Sequence, residues 1–560
     1  LANLTYGNFL GSYSPEYNIT YWQKIPYAAP PVGPLRFRAP QPPLPENSNG
    51  STTIYNSTQP YDLCPQRTVN GSEDCLYLGL YSRPWTPSSC SSSSTPLRPV
   101  VVTFHGGAFI QGGGSFTLPP SAFPILNVSS SSSSEEEGAV GGKEYSPDII
   151  FIYPIYRLNA FGFLPGKEIS EDPESDLNVG LLDQRAVLQW VRDYIEVFGG
   201  DKEQVTVWGQ SAGGGSVIAQ VLGNGASTRR EKLFQRALAG SPFWPKTYHY
   251  DAPEAQELYD RFAELAGCGK NGNASTTTTT TTSLQCLKQA PVQTLREASL
   301  AVSASHTYNT SSYSWAPVID KKFLLQPLSS ASSSSSSPNL QLNINSAWSM
   351  YNLHEGENFL PQGLSNSTGD SYGFNSSLAS FNQWLQGYLP GLTEIERTKV
   401  KEELYPEVGM AEELVGGYNT SYTRAGLIYR DTVLTCPGLW MVEASGGGGG
   451  GGGGQGAYLG EYTIDPAKHG SDTGYWNRVN DLQQTDRLIY EGYAGAFASF
   501  FQTGDPNAYK LTGEDQAGVP DLRETGMQFV IRNSSLVTGG TDLLRSRCDF
   551  WRSVGERIPI

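Results

Sequence analysis

No uninterrupted apolar run in the 560 residues approaches the ~18–20 needed to cross a bilayer, which excludes a helical membrane span. Positive charge is also scarce: 38 Lys and Arg stand against 54 Asp and Glu, a net charge of −16. Such a surface repels phosphate backbones and anionic membranes, so no nucleic-acid partner is expected. Only five histidines occur, and no cysteine spacing with a nearby histidine has the form of a zinc site. No internal repeat is visible, and the opening stretch from Leu1 to Phe9 has no signal-peptide core. A soluble, already processed chain is expected.

What is present is material for a large core: 38% hydrophobic residues, with 31 Tyr, 22 Phe and 11 Trp. Length divided by a typical domain size would suggest several domains, but large α/β folds break that rule, and residues 1–560 read as a single domain. Asn-x-Ser/Thr sequons recur from Asn3, Asn18 and Asn56 through Asn127 and Asn366 to Asn533. Their spread, with low lysine content, predicts N-linked glycans on a secreted protein. Seven cysteines suit an oxidising compartment if six are paired. Spacing alone leaves the connectivity open.

Ser-, Thr- or Gly-rich tracts at 88–95, 129–137, 276–282, 329–337 and 446–454 lie between patterned segments. They cannot bury apolar surface, so they read as lengthened surface loops rather than linkers. Between them, β-rich runs at 99–104, 148–153, 205–208 and 457–463 alternate with helical patterns. The segment 180–198 places Leu181, Val187, Leu188, Val191, Ile195 and Phe198 near a 3.6-residue period and stops at Gly199-Gly200. This alternation predicts an α/β fold with a large, mostly parallel sheet covered by helices on both faces.

The run Val205-Thr-Val-Trp-Gly-Gln-Ser-Ala-Gly213 puts Ser211 between a strand and a helix predicted to start near Ala212. Glycines two residues to either side are needed because Cβ atoms would collide across so tight a turn, and such a turn lifts a serine hydroxyl clear of the backbone. A serine nucleophile needs a base, an acid to orient it, and donors for the oxyanion. His469, in a loop after a late predicted strand, stands where the base falls in α/β-hydrolase chain order; His249 and His306 read as ordinary histidines. The glycine loop Phe104-His-Gly-Gly-Ala-Phe109 follows an earlier strand, where Gly107 and Ala108 can offer backbone N–H groups, with Ala212 a third. For the acid, Glu355 stands before a glycine at a strand end and Glu357 is its rival.

With these residues the chain resembles the type-B carboxylesterases, the cholinesterase and fungal-lipase branch of the α/β-hydrolases. The resemblance rests on Ile25-Pro-Tyr-Ala-Ala-Pro-Pro-Val-Gly-Pro-Leu-Arg-Phe37, Glu73-Asp-Cys-Leu-Tyr-Leu78, Asn178-Val-Gly-Leu-Leu-Asp-Gln-Arg185, Gly209-Gln-Ser-Ala-Gly-Gly214, Ala316-Pro-Val-Ile-Asp320, Glu355-Gly356, Ala467-Lys-His-Gly-Ser-Asp472 and Thr503-Gly-Asp-Pro-Asn507. It implies the α/β-hydrolase fold and a Ser211, Glu355, His469 triad acting on a small-molecule ester through an acyl-enzyme. It also implies oxyanion donors at Gly107, Ala108 and Ala212, and no metal or organic cofactor. Disulfides Cys64–Cys75, Cys268–Cys286 and Cys436–Cys548 and a buried Arg36–Glu73 pair follow from it too, leaving Cys90 over. The loop between Cys64 and Cys75 is short and lacks the tryptophan with which cholinesterases hold choline, and Gln210 replaces their Glu before the nucleophile. Choline esters are therefore not expected, nor is a long lipase lid. A triacylglycerol or sterol-ester lipase and a non-catalytic recognition protein are the alternatives.

Overall fold

The computed structural model describes residues 1–44, 53–85, 96–129, 148–225, 232–269, 282–311, 314–331, 344–407, 418–445 and 456–559. Cys90 and most of the low-complexity tracts lie outside them. Fourteen strands are present among the described residues: β1 (Ala2–Leu4), β2 (Gly7–Leu10), β3 (Ser12–Ser14), β4 (Ile19–Pro26), β5 (Ile54–Asn56), β6 (Tyr77–Ser82), β7 (Arg98–Phe104), β8 (Ile150–Pro154), β9 (Gly200–Gln210), β10 (Arg236–Gly240), β11 (Ser346–Asn352), β12 (Ala457–Tyr462), β13 (Met527–Arg532) and β14 (Ser535–Gly540). Eleven form one sheet in the order β14-β13-β12-β11-β10-β9-β7-β8-β6-β4-β3, and β1, β2 and β5 form a small separate one.

From β8 across to β13 every neighbouring pair is parallel; the antiparallel pairs lie at the two ends. The apolar runs explain the placement. Val100, Val102 and Phe104 of β7 enter one core while Val101 enters the other, and Ile150 and Ile152 of β8 face away from Phe151 and Tyr153 in the same manner. A strand that buries alternate residues on opposite faces must be covered twice. One cover includes the helices Val179–Tyr194 and Ala212–Gly225; the other is led by the aromatic helix Arg487–Thr503. On the second side Trp208 of β9 meets Trp476 at 5.1 Å, and Trp348 of β11 meets Phe497 at 5.1 Å, edge to face.

Three local expectations differ from the structure. The helix expected over 180–198 is α only to Tyr194, and Ile195–Phe198 tightens to a 3-10 turn before Gly199 takes the left-handed cap at φ 77°. Strand β9 begins at Gly200 rather than Val205, because Gly200 pairs with Arg98. The edges of two tracts read as loops are helical: Ser129 ends the helix Phe123–Ser129, its Oγ donating to the Leu126 carbonyl at 2.8 Å, and Ser329 lies buried in Leu328–Ala331. Ser129 satisfies its hydroxyl on a preceding helical carbonyl, which composition does not reveal.

Disulfides join Cys64–Cys75, Cys268–Cys286 and Cys436–Cys548 with S–S distances of 2.01, 1.95 and 1.98 Å. Arg36 meets Glu73 through two bonds, Nε to Oε1 at 2.6 Å and Nη2 to Oε2 at 2.7 Å, while Nη1 donates to the carbonyls of Leu287, Lys288 and Ala290. The guanidinium therefore ties the amino-terminal motif to the end of the helix Ser283–Gln289.

Candidate active site

Parallel strands bring their carboxyl ends to one edge of a sheet, and ligands of open α/β sheets bind beyond that edge. Here β7, β9, β10, β11 and β12 lie side by side in register, pairing Phe104 with Gly209, Gln210 with Gly240, Gly240 with Met350, and Asn352 with Tyr462. The glycine loop, Ser211, the Glu355 turn and the His469 loop follow β7, β9, β11 and β12, so they emerge along the same edge.

Ser211 stands between β9 and the helix Ala212–Gly225 at φ 60°, a left-handed conformation for a non-glycine residue. Its N–H donates to Gly240 O at 2.9 Å and its carbonyl accepts from Gly215 and Phe243 N–H at 2.9 and 2.8 Å, so the surroundings hold the turn on both sides. The flanking glycines are sterically required. A Cβ on Gly209 would stand 2.4 Å from Gly213 C, and one on Gly213 2.0 Å from Phe104 O. The second contact couples the turn to the strand that launches the glycine loop.

Ser211 Oγ lies 2.8 Å from His469 Nε2, and His469 Nδ1 lies 2.9 Å from Glu355 Oε2. Glu355 is fully buried in the 3-10 turn Glu355–Phe359, and its Oε1 has no partner among the described residues. A carboxylate on Nδ1 fixes the tautomer that leaves Nε2 as the acceptor of the serine proton. The rival Glu357 is turned elsewhere, with His354 Nδ1 at 3.5 Å and Lys468 Nζ at 3.7 Å; burial raises its pKa. Of the other histidines, His249 bridges to Ile319, and the side chain of His306 lies outside the described ones.

In the glycine loop Gly107, Ala108 and Phe109 have φ of 112°, 55° and 61°. With Ile110 and Gln111 N–H both donating to Gly107 O at 3.1 Å, the segment is a tight turn, a backbone form in which N–H groups can converge on an anion. The loop packs directly on the serine turn: a Cβ on Gly106 would lie 2.8 Å from Gln210 O and 3.0 Å from Ser211 Cβ. The Ala212 N–H opens the following helix, where the first N–H groups have no intrahelical acceptor. His105 is held beneath this loop, stacked on Tyr156 at 4.2 Å, and burial lowers its pKa to about 4. It is neutral near pH 7 and supports the loop without offering a charge.

Two neighbours of the site carried no sequence signal. Asn358 Oδ1 accepts the His469 N–H at 3.0 Å, and the Phe359 ring meets the imidazole edge to face at 5.0 Å. Both lie in the last positions of the Glu355–Phe359 turn, so proximity to a candidate acid is the only pointer to them in the sequence. Gln210 also reaches the imidazole, its Nε2 3.5 Å from His469 Nε2.

A parallel sheet with a strained serine between strand and helix, and a histidine and an acid on later strand ends, is the architecture of an α/β-hydrolase. The chain belongs to the carboxylesterase family, whose profile matches residues 1–551, and it is a carboxylic ester hydrolase. It is 27% identical to carboxylesterase patB of Penicillium expansum over 95% of this chain and 92% of that protein. It is 24% identical to secreted lipase 4 of Gibberella zeae over 96% and 88%, and 39% identical to the para-nitrobenzyl esterase of Bacillus subtilis over 43% of each chain. The fold matches that of Aspergillus niger EstA with a TM-score of 0.75 at 21% identity, covering 100% of this chain and 99% of that one.

Proposed function

We propose that Ser211, His469 and Glu355 are the catalytic triad of a secreted carboxylesterase that works through an acyl-enzyme. The observation that carries this is the unbroken relay from Ser211 Oγ to His469 Nε2 at 2.8 Å and from His469 Nδ1 to Glu355 Oε2 at 2.9 Å. His469 takes the Ser211 proton as Oγ attacks the ester carbonyl, and Glu355 stabilises the imidazolium that forms. The N–H groups of Gly107, Ala108 and Ala212 receive the oxyanion; one such donor is typically worth ~10²–10³ in kcat. His469 then protonates the leaving alcohol, and water repeats the attack with His469 again as base.

Secretion is supported by the three disulfides and by relatives described as secreted lipases, and N-linked glycans go with it. Residues 1–560 are taken as one domain, since a single eleven-stranded sheet runs through both cores. The same relatives favour a second reading, a lipase with the same triad. Hydrolysis of p-nitrophenyl esters from acetate to palmitate separates the two: a short-chain optimum supports the carboxylesterase, and a long-chain optimum the lipase.

A further inference from the structure

An oxyanion hole works only if its donors are fixed before the reaction begins, and a loop rich in glycine does not fix itself. Two backbone hydrogen bonds inside the glycine loop, from Ile110 and Gln111 N–H, share the Gly107 carbonyl as acceptor. Further hold comes from outside the loop. Gln66, which stands inside the Cys64–Cys75 loop, donates from Nε2 to the Gly112 carbonyl at 2.8 Å and accepts the Gly112 N–H on Oε1 at 2.9 Å. Nε2 also donates to the Cys64 carbonyl at 3.2 Å, and Oε1 also accepts from Thr68 Oγ1 at 2.9 Å. All four hydrogen-bonding positions of the carboxamide are thus used, and Gln66 is 1% exposed. A buried amide satisfied in this way is held in one orientation.

Gly112 is where such a grip reaches the donors. It lies against the start of the loop at φ 132°, where a Cβ would stand 2.3 Å from Gly106 O. A Cβ on Gly107 would in turn stand 2.0 Å from Gln111 O, so the two ends of the loop meet backbone to backbone. The middle is held separately. Asn159, buried and at φ 46°, donates its N–H to the Phe109 carbonyl at 2.7 Å and its Nδ2 to the Pro65 carbonyl at 2.8 Å. The loop is therefore tied at Gly112 and at Phe109, next to Ala108, to the one step Pro65-Gln66. That step is itself anchored, since Arg296 Nε donates to the Gln66 carbonyl at 2.7 Å.

We propose that Gln66 is a positioning residue for the oxyanion hole, braced by Asn159, and that the two hold the Gly107 and Ala108 N–H groups where the tetrahedral oxyanion forms. The inference deepens the triad reading above and rests on its assignment of these two donors. Without the Gln66 carboxamide the loop relaxes, which weakens contacts made in the transition state and leaves ground-state binding of the ester in place.

The test compares the native full chain with Gln66→Leu and with Asn159→Gly, which keeps the backbone N–H and suits a positive φ. kcat and KM are measured with p-nitrophenyl acetate, and thermal unfolding verifies the fold. Inhibition is measured with an alkyl trifluoromethyl ketone and the matching methyl ketone. Ser211 Oγ adds to the trifluoromethyl ketone carbonyl, its proton passes to His469, and the carbonyl electron pair becomes an oxyanion in the hole; the methyl ketone binds without this addition. Gln66→Leu is expected to lower kcat ~10–100-fold, short of the ~10²–10³ lost with a whole donor, and to weaken the trifluoromethyl ketone by the same factor. KM and the methyl ketone affinity stay within a few-fold, and Asn159→Gly shows the same pattern to a smaller degree. Folded variants with native kcat and a native preference for the trifluoromethyl ketone overturn the proposal, as does an equal loss for both ketones. If Gln66→Leu does not fold, Asn159→Gly decides by the same readouts. A native protein that a fluorophosphonate labels at Ser211 but that does not prefer the trifluoromethyl ketone overturns the donor assignment and the proposal with it. Absence of both label and preference overturns the triad reading as well.

Discussion

Replacing Glu355 with glutamine removes one charge and leaves the volume of the site unchanged, so its effect on kcat isolates what the carboxylate does. The side chain is fully buried and faces His469 Nδ1 at 2.9 Å. Glutamine has two orientations there. If its oxygen faces Nδ1, its NH₂ takes the position of Oε1, which has no partner among the described residues, and an unpaired buried donor costs about 1–3 kcal/mol. If its NH₂ faces Nδ1, that nitrogen must become the acceptor and Nε2 carries the proton, so His469 cannot take the one on Ser211. The second orientation is favoured, and in both the imidazolium loses its counter-charge. The loss of an orienting acid in a triad is worth ~10⁴ in kcat, about 5 kcal/mol of barrier. The assay is p-nitrophenyl acetate hydrolysis at saturation, with circular dichroism to verify the fold; KM stays within a few-fold because Glu355 does not touch the ester. The control is Glu357→Gln, whose carboxylate faces His354 and Lys468 and whose loss leaves kcat within a few-fold. Glu355→Gln retaining kcat within tenfold of the native protein would refute the reasoning.

Gly213→Ala places a Cβ 2.0 Å from the Phe104 carbonyl; because backbone is met on backbone, it lowers stability by about 1–3 kcal/mol or more and abolishes activity, read by thermal unfolding and kcat together. Glu73→Gln leaves the Arg36 guanidinium, with a side chain 7% exposed, without its counter-charge, and a urea midpoint shift equivalent to about 3–5 kcal/mol is expected; a shift below about 1 kcal/mol would contradict the buried-pair account. Acid stability reports on His105. The unfolded chain takes up a proton near 6.5 and the folded one only near 4, so this residue's contribution is constant above about 6.5, is lost as the pH falls toward 4, and is flat below. His105→Gln removes that part of the pH dependence, and an unchanged profile would contradict it.

Much of the site was readable because its parts are tied to local chemistry. Gly209 and Gly213 stand where the tight turn forbids a Cβ, and the apolar run over 99–104 is a strand buried on both faces. The choice between Glu355 and Glu357 was not local: it depends on which carboxylate a loop 114 residues further along the chain approaches, and only the resemblance favoured Glu355. Asn358 and Phe359 escaped for the same reason, since their roles exist only once the His469 loop lies against them. The start of β9 at Gly200 is set by pairing with Arg98, a partner in another strand, and tertiary pairing of this kind overrides the local glycine signal.

The central claim is that Ser211 becomes covalently acylated. A fluorophosphonate probe added to the native protein, followed by peptide mass spectrometry, tests it most directly. The account predicts one adduct, on the peptide carrying Ser211, with ester hydrolysis lost in proportion to labelling and neither adduct nor activity in Ser211→Ala. A label on another residue, or hydrolysis that persists in Ser211→Ala, would contradict it.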